Sequence, residues 1–273
     1  MSLLSTESLS VFLSPGELIA VRWRGRPRRI VEKRVYRIAA DQGGNWTAAV
    51  EALAGVLRET ACREIRLTLS CHFTPYQLVP WRDDLDDQEE ELAVVRLAFV
   101  ATYGDAASRW SIRLSDEAPG RPRIAAAIDS DFLAAIEQLA ATHKVNLASV
   151  QPYLGAAVNH WRNHFGRRRS RWLVLHEKNR ICLALIDHGR WRWVRCVRSN
   201  DDWAERLPEL VDHEIMLSET ESIATDVLVF APEHPTLALR SGTRQPFLSL
   251  RQEDRSGFSA INDGQFGLAM LGE

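Results

Sequence analysis

Two groups of residues could do chemistry by their types and spacing. His160 and His164 lie four residues apart in a segment with helical periodicity, so both side chains can face one way, as at the start of a zinc site. The residue after His160 is Trp161 rather than the glutamate of a metalloprotease helix, and no third ligand is evident. Cys71 and His72 could pair a thiol with a base, but adjacent residues of a strand point to opposite faces. We therefore expect surface histidines, a structural Cys–His pair and no metal site.

Charged stretches suggest a second kind of chemistry. A basic, aromatic-containing stretch lies between Arg22 and Arg37, and more arginines follow in 167–171 and 192–198. Its composition resembles a nucleic-acid surface, but an arginine-rich outer face of half-exposed strands has the same composition. The acidic run 83–91 is typical of a solvated loop or helix start, and it could also face a basic patch of a partner or of this chain. The sequence contains neither a Gly-x-Ser-x-Gly elbow nor a Gly-x-x-x-x-Gly-Lys loop.

Nine tryptophans are many for a chain of 273 residues. Those in the strand-rich stretches are the hardest to bury together, and exposed tryptophan beside arginine is enriched at protein interfaces. We therefore predict a partner-binding surface that includes Trp23, Arg24, Trp191 and Trp193.

Composition and charge narrow the classes of protein. Hydrophobic residues make up 45% and charged residues 26%, as in an ordinary globular protein, and the net charge of −2 gives no global reason to bind nucleic acid or membrane. The four cysteines, Cys62, Cys71, Cys182 and Cys196, are far apart, which is typical of reduced, buried thiols. The N-terminus lacks a signal-peptide pattern and no run approaches a membrane span. We expect a cytoplasmic protein.

The elements that must position these residues occur in a repeated order. In both parts of the chain the patterns of alternating and three-to-four-residue spacing predict three strands, a helix and a strand. In the first part these are strands Leu9–Leu13, Leu18–Trp23 and Arg29–Ile38, a helix Trp46–Cys62 capped by Asn45, and a strand Glu64–Ser70. In the second they are three strands within Arg171–Arg198 with turns at Glu177–Arg180 and Asp187–Arg190, a helix capped by Asn200 or Asp201 and carrying Trp203, and a strand Thr225–Phe230.

Further elements lie between and after the two repeats. The patterns predict Leu92–Tyr103 as helix or strand, a hairpin of Trp110–Leu114 and Arg123–Ile128, a helix capped by Asp129 or Ser130, a strand Leu147–Gln151, a helix Pro152–Phe165, a strand Phe247–Leu250 and a final helix Phe258–Leu271. We place a first half at 1–166, with an insertion subdomain at about 72–128, and a second half at 170–273. The order and patterning of the elements repeat in the two halves, but the amino-acid identities do not.

Four passages carry a resemblance to a known family: Leu67–Trp81, Ala127–Pro152, Arg171–Arg198 and Phe258–Leu271. Together with the tandem order of elements, they resemble the actin-like ATPase superfamily, and within it the PilM-like and GspL-like cytoplasmic assembly proteins of type IV pilus and type II secretion systems. The resemblance implies an α/β, actin-like (ribonuclease H-like) fold of two duplicated βββαβα halves with a small insertion subdomain in the first.

The resemblance also implies three nucleotide-binding turns, and this sequence departs from all of them. Such turns need glycine because backbone N–H groups must approach phosphate oxygens closely. The first turn here has one glycine and a proline, with Phe12–Leu13 where an acidic residue is expected; the second and third have no glycine. The degenerate positions are Ser14, Pro15, Gly16 and Glu17, then Glu177, Lys178 and Asn179, then Ala231 and Pro232. We therefore expect no nucleotide cofactor and no ATPase activity.

The functional expectation follows from the resemblance and from the lost turns. We expect a non-catalytic, pseudo-ATPase scaffold that binds the cytoplasmic tail of a bitopic inner-membrane protein and other platform components, and that is recruited to the inner membrane by these partners. Two alternatives remain at this point: an ATPase or kinase that keeps ATP in an atypical site, and a nucleic-acid-binding module that uses the basic stretch.

Overall fold

The computed structural model describes residues 7–39, 46–85, 87–166, 169–218, 226–238 and 245–273. The predicted Asn45 cap, residue Thr225 and residues 167 and 168, between the two predicted halves, lie outside these ranges. Within them, three β-sheets and six α-helices carry the fold.

The first sheet has five strands in the order β3-β2-β1-β4-β8. β1, β2 and β3 form an antiparallel meander, while β4 and β8 add to β1 in parallel. Both faces of the central strand β1 are buried, and its last three residues, Val11–Leu13, are all apolar. The strand bounds are β1 Glu7–Leu13, β2 Glu17–Arg24, β3 Arg29–Arg37, β4 Glu64–Leu69 and β8 Asn146–Pro152.

The second sheet repeats this topology in the order β11-β10-β9-β12-β13. β9, β10 and β11 form the antiparallel meander, and β12 and β13 continue the sheet in parallel. β3 and β11 have the same sequence of exposed and buried positions, which shows that the two halves repeat in side-chain direction as well as in strand order. The bounds are β9 Ser170–Glu177, β10 Arg180–Asp187, β11 Arg190–Arg198, β12 Asp226–Phe230 and β13 Phe247–Ser249.

A small three-stranded sheet, in the order β5-β7-β6, lies between β4 and β8 in the chain. The predicted hairpin is present as β6 Trp110–Leu114 and β7 Arg123–Asp129, and β5 Tyr76–Val79 adds a strand that the sequence patterns did not indicate. The ambiguous segment is the helix α2 Gln88–Tyr103, which packs Val95 and Phe99 on this sheet. Asp87 caps the helix by accepting the N–H groups of Glu89 and Glu90, so the acidic run is its N-terminus, where negative charge is favourable.

Of the remaining helices, three cover the outer faces of the two large sheets and two lie between the sheets. These helices are α1 Thr47–Glu59, α3 Ser130–Thr142, α4 Tyr153–His160, α5 Trp203–Leu217 and α6 Gly267–Met270. α1 and α3 pack on one face of the first sheet, and α5 packs on the corresponding face of the second. A third buried cluster joins the opposite faces of both sheets through α4 and α6, so the two sheets share a core.

Several predicted helix ends were wrong. The first residue before α1 is Trp46, which makes no side-chain cap, and α5 begins after Asp202 rather than under a cap by Asn200 or Asp201. The helix predicted at Pro152–Phe165 stops at His160 and continues as a single 3-10 turn.

The predicted final helix Phe258–Leu271 was also wrong, because only a 3-10 turn and the four residues of α6 are helical. Two glycines explain the difference. A Cβ on Gly264 would lie 2.2 Å from the carbonyl oxygen of Pro232, and one on Gly267 would lie 3.0 Å from Gln252 Oε1. The segment is therefore shaped by close packing against the loop after β12 rather than by helical propensity.

Candidate functional site

The candidate site is the cleft where the β1–β2 turn and the β9–β10 turn face each other. In the first turn, Ser14 and Glu17 bond to one another three times: Ser14 N and Oγ each donate to Glu17 O at 3.0 Å, and Glu17 N donates to Ser14 Oγ at 3.2 Å. Pro15 has no N–H. Two of the three N–H groups of this turn are therefore used inside it, and they do not point at a ligand.

The β9–β10 turn is occupied by side chains and by another part of the chain. Glu177 is 2% exposed, and its Oε1 accepts the N–H of Cys71 at 2.8 Å. Arg180 donates from Nη1 to the carbonyl of Cys71 at 3.0 Å, and His72 Nε2 lies 3.2 Å from the carbonyl of Lys178. The β9–β10 turn is therefore bonded to the turn that follows β4, where Cys71 and His72 lie. The carboxyl group of Glu177 occupies the space next to the backbone of the β9–β10 turn.

Both turns line a cavity of about 290 Å³. Its other walls are mainly apolar, with Phe12 on β1, Ile38 after β3 and Leu268 on α6, and with Arg37 and His72 as the polar contributions. Leu268 belongs to the segment that returns from the second sheet to pack on β1 and β2, so this segment forms one wall of the cavity.

The third position, the loop Ala231–Pro235 after β12, is covered by the closing segment. The contact of Gly264 with Pro232 brings the two segments together, and the cavity left between them is only about 20 Å³. That volume suits about one water molecule. An adenine ring does not fit there without moving the closing segment.

Three carboxyl groups contribute to the electrostatics of the cleft, beside the cations Arg37 and Lys178. Burial raises the pKa of Glu177 to about 7. Burial also raises the pKa of Glu233 to about 7, with further contributions from the charge of Glu17 and a hydrogen bond to it. Glu17 also forms an ion pair with Arg37, at 3.0 Å. When ionised, these carboxylates oppose the approach of a polyphosphate.

Among the residues that the structure describes, two groups of side chains have the composition of a metal-ligand set, with donor atoms within 4.8 Å of one another. One is His176, Glu233 and His234, beside the third loop. His176 is buried and stacked on Trp203 with ring centroids 4.0 Å apart, and burial lowers its pKa to about 3, so it is neutral and able to coordinate. The other is Cys71, Cys182 and Cys196, which the sequence patterns did not bring together.

The structure corrects the expectation of exposed tryptophans. Trp23 and Trp191 are buried, with Nε1 donating to Ser10 Oγ at 2.9 Å and to Glu117 Oε1 at 3.0 Å. Trp193 is half-buried and donates to Glu214. These side chains lie on the inward or covered positions of their strands, so they offer little surface to a partner.

Arg24, the fourth residue predicted for that surface, is exposed and bonds to Glu7 through Nε at 2.7 Å. Other arginines and lysines of the basic stretch are also paired with carboxylates. These pairs are Arg22–Glu32 at 3.2 Å, Lys33–Asp263 at 2.6 Å, Arg34–Glu32 at 2.5 Å, Arg37–Glu17 at 3.0 Å and Arg28–Glu273. The pairs neutralise much of the charge that suggested nucleic-acid binding.

The other residues that the sequence suggested as candidate site residues do not form a site together. His160 ends α4 and His164 lies in the following 3-10 turn, so the two do not share a helix face. Cys71 and His72 lie in the turn after β4. Because neither residue is on a strand, the expectation that their side chains point to opposite faces does not apply to them.

Comparisons with known proteins identify solved structures of similar architecture. No protein-family model matches the sequence, and no curated protein matches it. Three solved structures are similar over almost the whole chain. A PilM–PilN type IV pilus biogenesis complex has a TM-score of 0.69 at 12% identity, over 97% of this chain and 96% of its own. The cytoplasmic domain of EpsL, an inner-membrane component of the type II secretion system of Vibrio cholerae, has a TM-score of 0.61 at 11% identity, over 98% and 95%.

The third is a Bacteroides thetaiotaomicron protein with an actin-like ATPase fold and unknown function, with a TM-score of 0.64 at 10% identity over 97% of this chain and 95% of its own. In the part of the chain that the structure describes, none of the helices has the length and apolar content needed to cross a membrane. At these identities the likeness concerns the fold, and with the duplicated sheet topology it shows that this chain has the actin-like ATPase fold.

Proposed function

We propose that this protein is an actin-like scaffold without nucleotide chemistry, which binds the cytoplasmic tail of a single-span inner-membrane protein in a type IV pilus or type II secretion machine. The observation that carries the first part is the occupation of the β9–β10 turn by Glu177 and the turn after β4. Similarity to a PilM–PilN complex and to an EpsL cytoplasmic domain supports the second part. Residues 1–166 and 170–273 are its proposed halves, with an insertion at about 72–128, and it works in the cytoplasm, recruited to the membrane by its partner.

The absence of nucleotide chemistry predicts that magnesium-ATP does not bind. Isothermal titration and thermal unfolding should both show no effect of 1 mM magnesium-ATP. Binding to the native state alone stabilises it by RT ln(1 + [L]/Kd), so a ligand present at about 100 times its Kd would add about 2.7 kcal/mol. Micromolar affinity for ATP would contradict the proposal and favour an ATPase with an atypical site.

For the partner, the surface that fits best is a groove between the insertion sheet and the first sheet. It has a volume of about 140 Å³ and is lined mainly by apolar side chains, including Leu69, Ile128, Leu133 and Val150. β6 and β8, which both contribute residues to it, are edge strands of their sheets. An extended peptide could pair with such an edge while its apolar side chains enter the groove. Arg113, exposed at this groove, suits a tail that carries an acidic residue.

A photo-crosslinking amino acid at Ser111 tests this assignment in intact cells. We expect it to capture the cytoplasmic segment of a single-span membrane protein, identified by the cross-linked peptide. The same group at Ala101, an exposed position of α2 away from the groove, should not capture that segment.

The charge of Arg113 is the second measurement. Arg113→Glu should weaken the binding of a synthetic peptide of the captured segment by about tenfold or more, since a like charge would face an acidic tail. Arg109→Glu is the matched control, because Arg109 is also exposed but does not line the groove. Equal affinity of both variants would remove the groove from the proposal.

A further inference from the structure

Three of the four cysteines converge where the two large sheets meet. The sulfur atoms of Cys71, Cys182 and Cys196 all lie within 4.8 Å of one another. Cys182 and Cys196 are direct cross-strand partners on β10 and β11, while Cys71 lies in the turn after β4, more than a hundred residues away. The fourth cysteine, Cys62, lies after α1 and is not part of the group.

The backbone around this cluster is held by contacts from both sheets. The N–H and the carbonyl of Cys71 bond to Glu177 and Arg180, which are the two ends of the β9–β10 turn. The Cys71 thiol also lies 3.9 Å from the hydroxyl of Tyr76. The strand pairing places Cys182 opposite Cys196, and the two backbone hydrogen bonds of Cys71 hold its turn against the second sheet. Ordered elements therefore hold the three thiols close together, as a metal site requires.

Metal binding requires the thiolate form of the three cysteines. Cys71 and Cys182 are fully buried, but Cys196 is only half-buried, so an ion can reach the cluster from solvent.

We propose that Cys71, Cys182 and Cys196 form a zinc site that joins the two halves of the protein. Three thiolates at a Zn–S distance of about 2.3 Å would lie about 3.8 Å apart in tetrahedral geometry, which small side-chain rotations achieve from the present spacing. The three sulfur atoms supply three of the four positions of a tetrahedral site, and water takes the fourth. Binding releases the thiol protons to solvent as each sulfur coordinates the ion. The ion fixes the turn after β4 to the second sheet, next to the cleft.

The test is metal content and coordination in the full-length protein, purified under a non-coordinating reductant. We expect one zinc per chain by mass spectrometry of the metal. Replacement by cobalt should give thiolate-to-cobalt charge-transfer absorption in the near-ultraviolet and visible bands of a four-coordinate ion. Added zinc should raise the unfolding temperature, because it binds the folded chain.

Matched cysteine variants separate coordination from folding. Cys196→Ser, at the half-buried position, should keep its near-ultraviolet circular dichroism but bind zinc more than about 100-fold more weakly, a loss beyond that typical of removing an outer-shell partner. Cys62→Ser should bind zinc like the parent protein. Three results would overturn the proposal: a folded, reduced parent protein without zinc or cobalt binding, unchanged affinity in Cys196→Ser, or a Cys182–Cys196 disulfide in protein alkylated at cell lysis.

Discussion

Replacing Tyr153 with alanine should lower the free energy of unfolding by about 3–5 kcal/mol, the cost of deleting a large aromatic side chain from a packed core. Tyr153 opens α4 and is fully buried where the two sheets meet. Its ring lies 5.5 Å from that of Phe12 on β1 and 6.5 Å from that of Phe230 on β12. Its hydroxyl donates to the carbonyl of His176 on β9 at 3.2 Å. One side chain thus contacts both sheets.

Urea denaturation followed by far-ultraviolet circular dichroism measures this loss. Tyr153→Phe keeps the ring and removes only the hydrogen bond to His176, so it should cost about 1 kcal/mol. Leu97→Ala, at a position of α2 that is 69% exposed, should change stability by less than about 0.5 kcal/mol. If Tyr153→Ala were as mild as Tyr153→Phe, the shared core would not be what holds the sheets together.

Replacing Glu177 with glutamine should remove part of the pH dependence of stability. Burial raises the pKa of Glu177 to about 7 from its ordinary value of 4.5, so the folded protein binds this proton more tightly than the unfolded chain does. The contribution of the group to stability is therefore complete below about pH 4.5 and is lost as the pH rises through about 7. At 1.36 kcal/mol per pH unit, the loss reaches about 3 kcal/mol.

Glutamine resembles the protonated carboxyl and can still accept the N–H of Cys71. Glu177→Gln should therefore match the parent protein near pH 5 and exceed it by up to about 3 kcal/mol at pH 8. The free energy of unfolding is compared as the difference between the two proteins at each pH. Burial lowers the pKa of His176 to about 3, and this residue makes the opposite contribution to the pH dependence of stability in both proteins.

Glu137→Gln is the control for this measurement. Glu137 is exposed on α3, so its replacement should change stability by less than about 0.5 kcal/mol at either pH. A Glu177→Gln protein with the same pH slope as the parent would show that this carboxyl is not the titrating group.

The comparison of sequence and structure is clearest in the second meander. Its two turns, Glu177–Arg180 and Asp187–Arg190, were placed correctly because strands have a period of two and turns interrupt it locally. Cys182 pairs with Cys196 because the register shifts by one residue between Leu185 and Ile186, whereas the second turn by itself would place Cys182 opposite Arg195. The sequence patterns therefore did not predict this pair. They did not predict the arrival of Cys71 beside it either, since that depends on how two sheets pack.

The tryptophans show the limit of composition. Trp23 and Trp191 were assigned to a surface because their strands are rich in arginine, yet both are buried, and each indole N–H is satisfied by a polar side chain. Alternation along a strand predicts which residues share a face, but which face is covered depends on segments far away in the chain, here those that carry Arg255 beside Trp23 and Glu117 beside Trp191.

The sequence by itself therefore determined the order of strands and helices within the two repeats, their duplication, and the loss of glycine at three turns, because each of these is a pattern within a short window. The tertiary structure alone decided what fills those turns. The carboxyl of Glu177 meets the backbone of Cys71 across 106 residues of chain, and Gly264 meets Pro232 from a separate segment. Such contacts follow from close packing of complete layers, which no local period encodes.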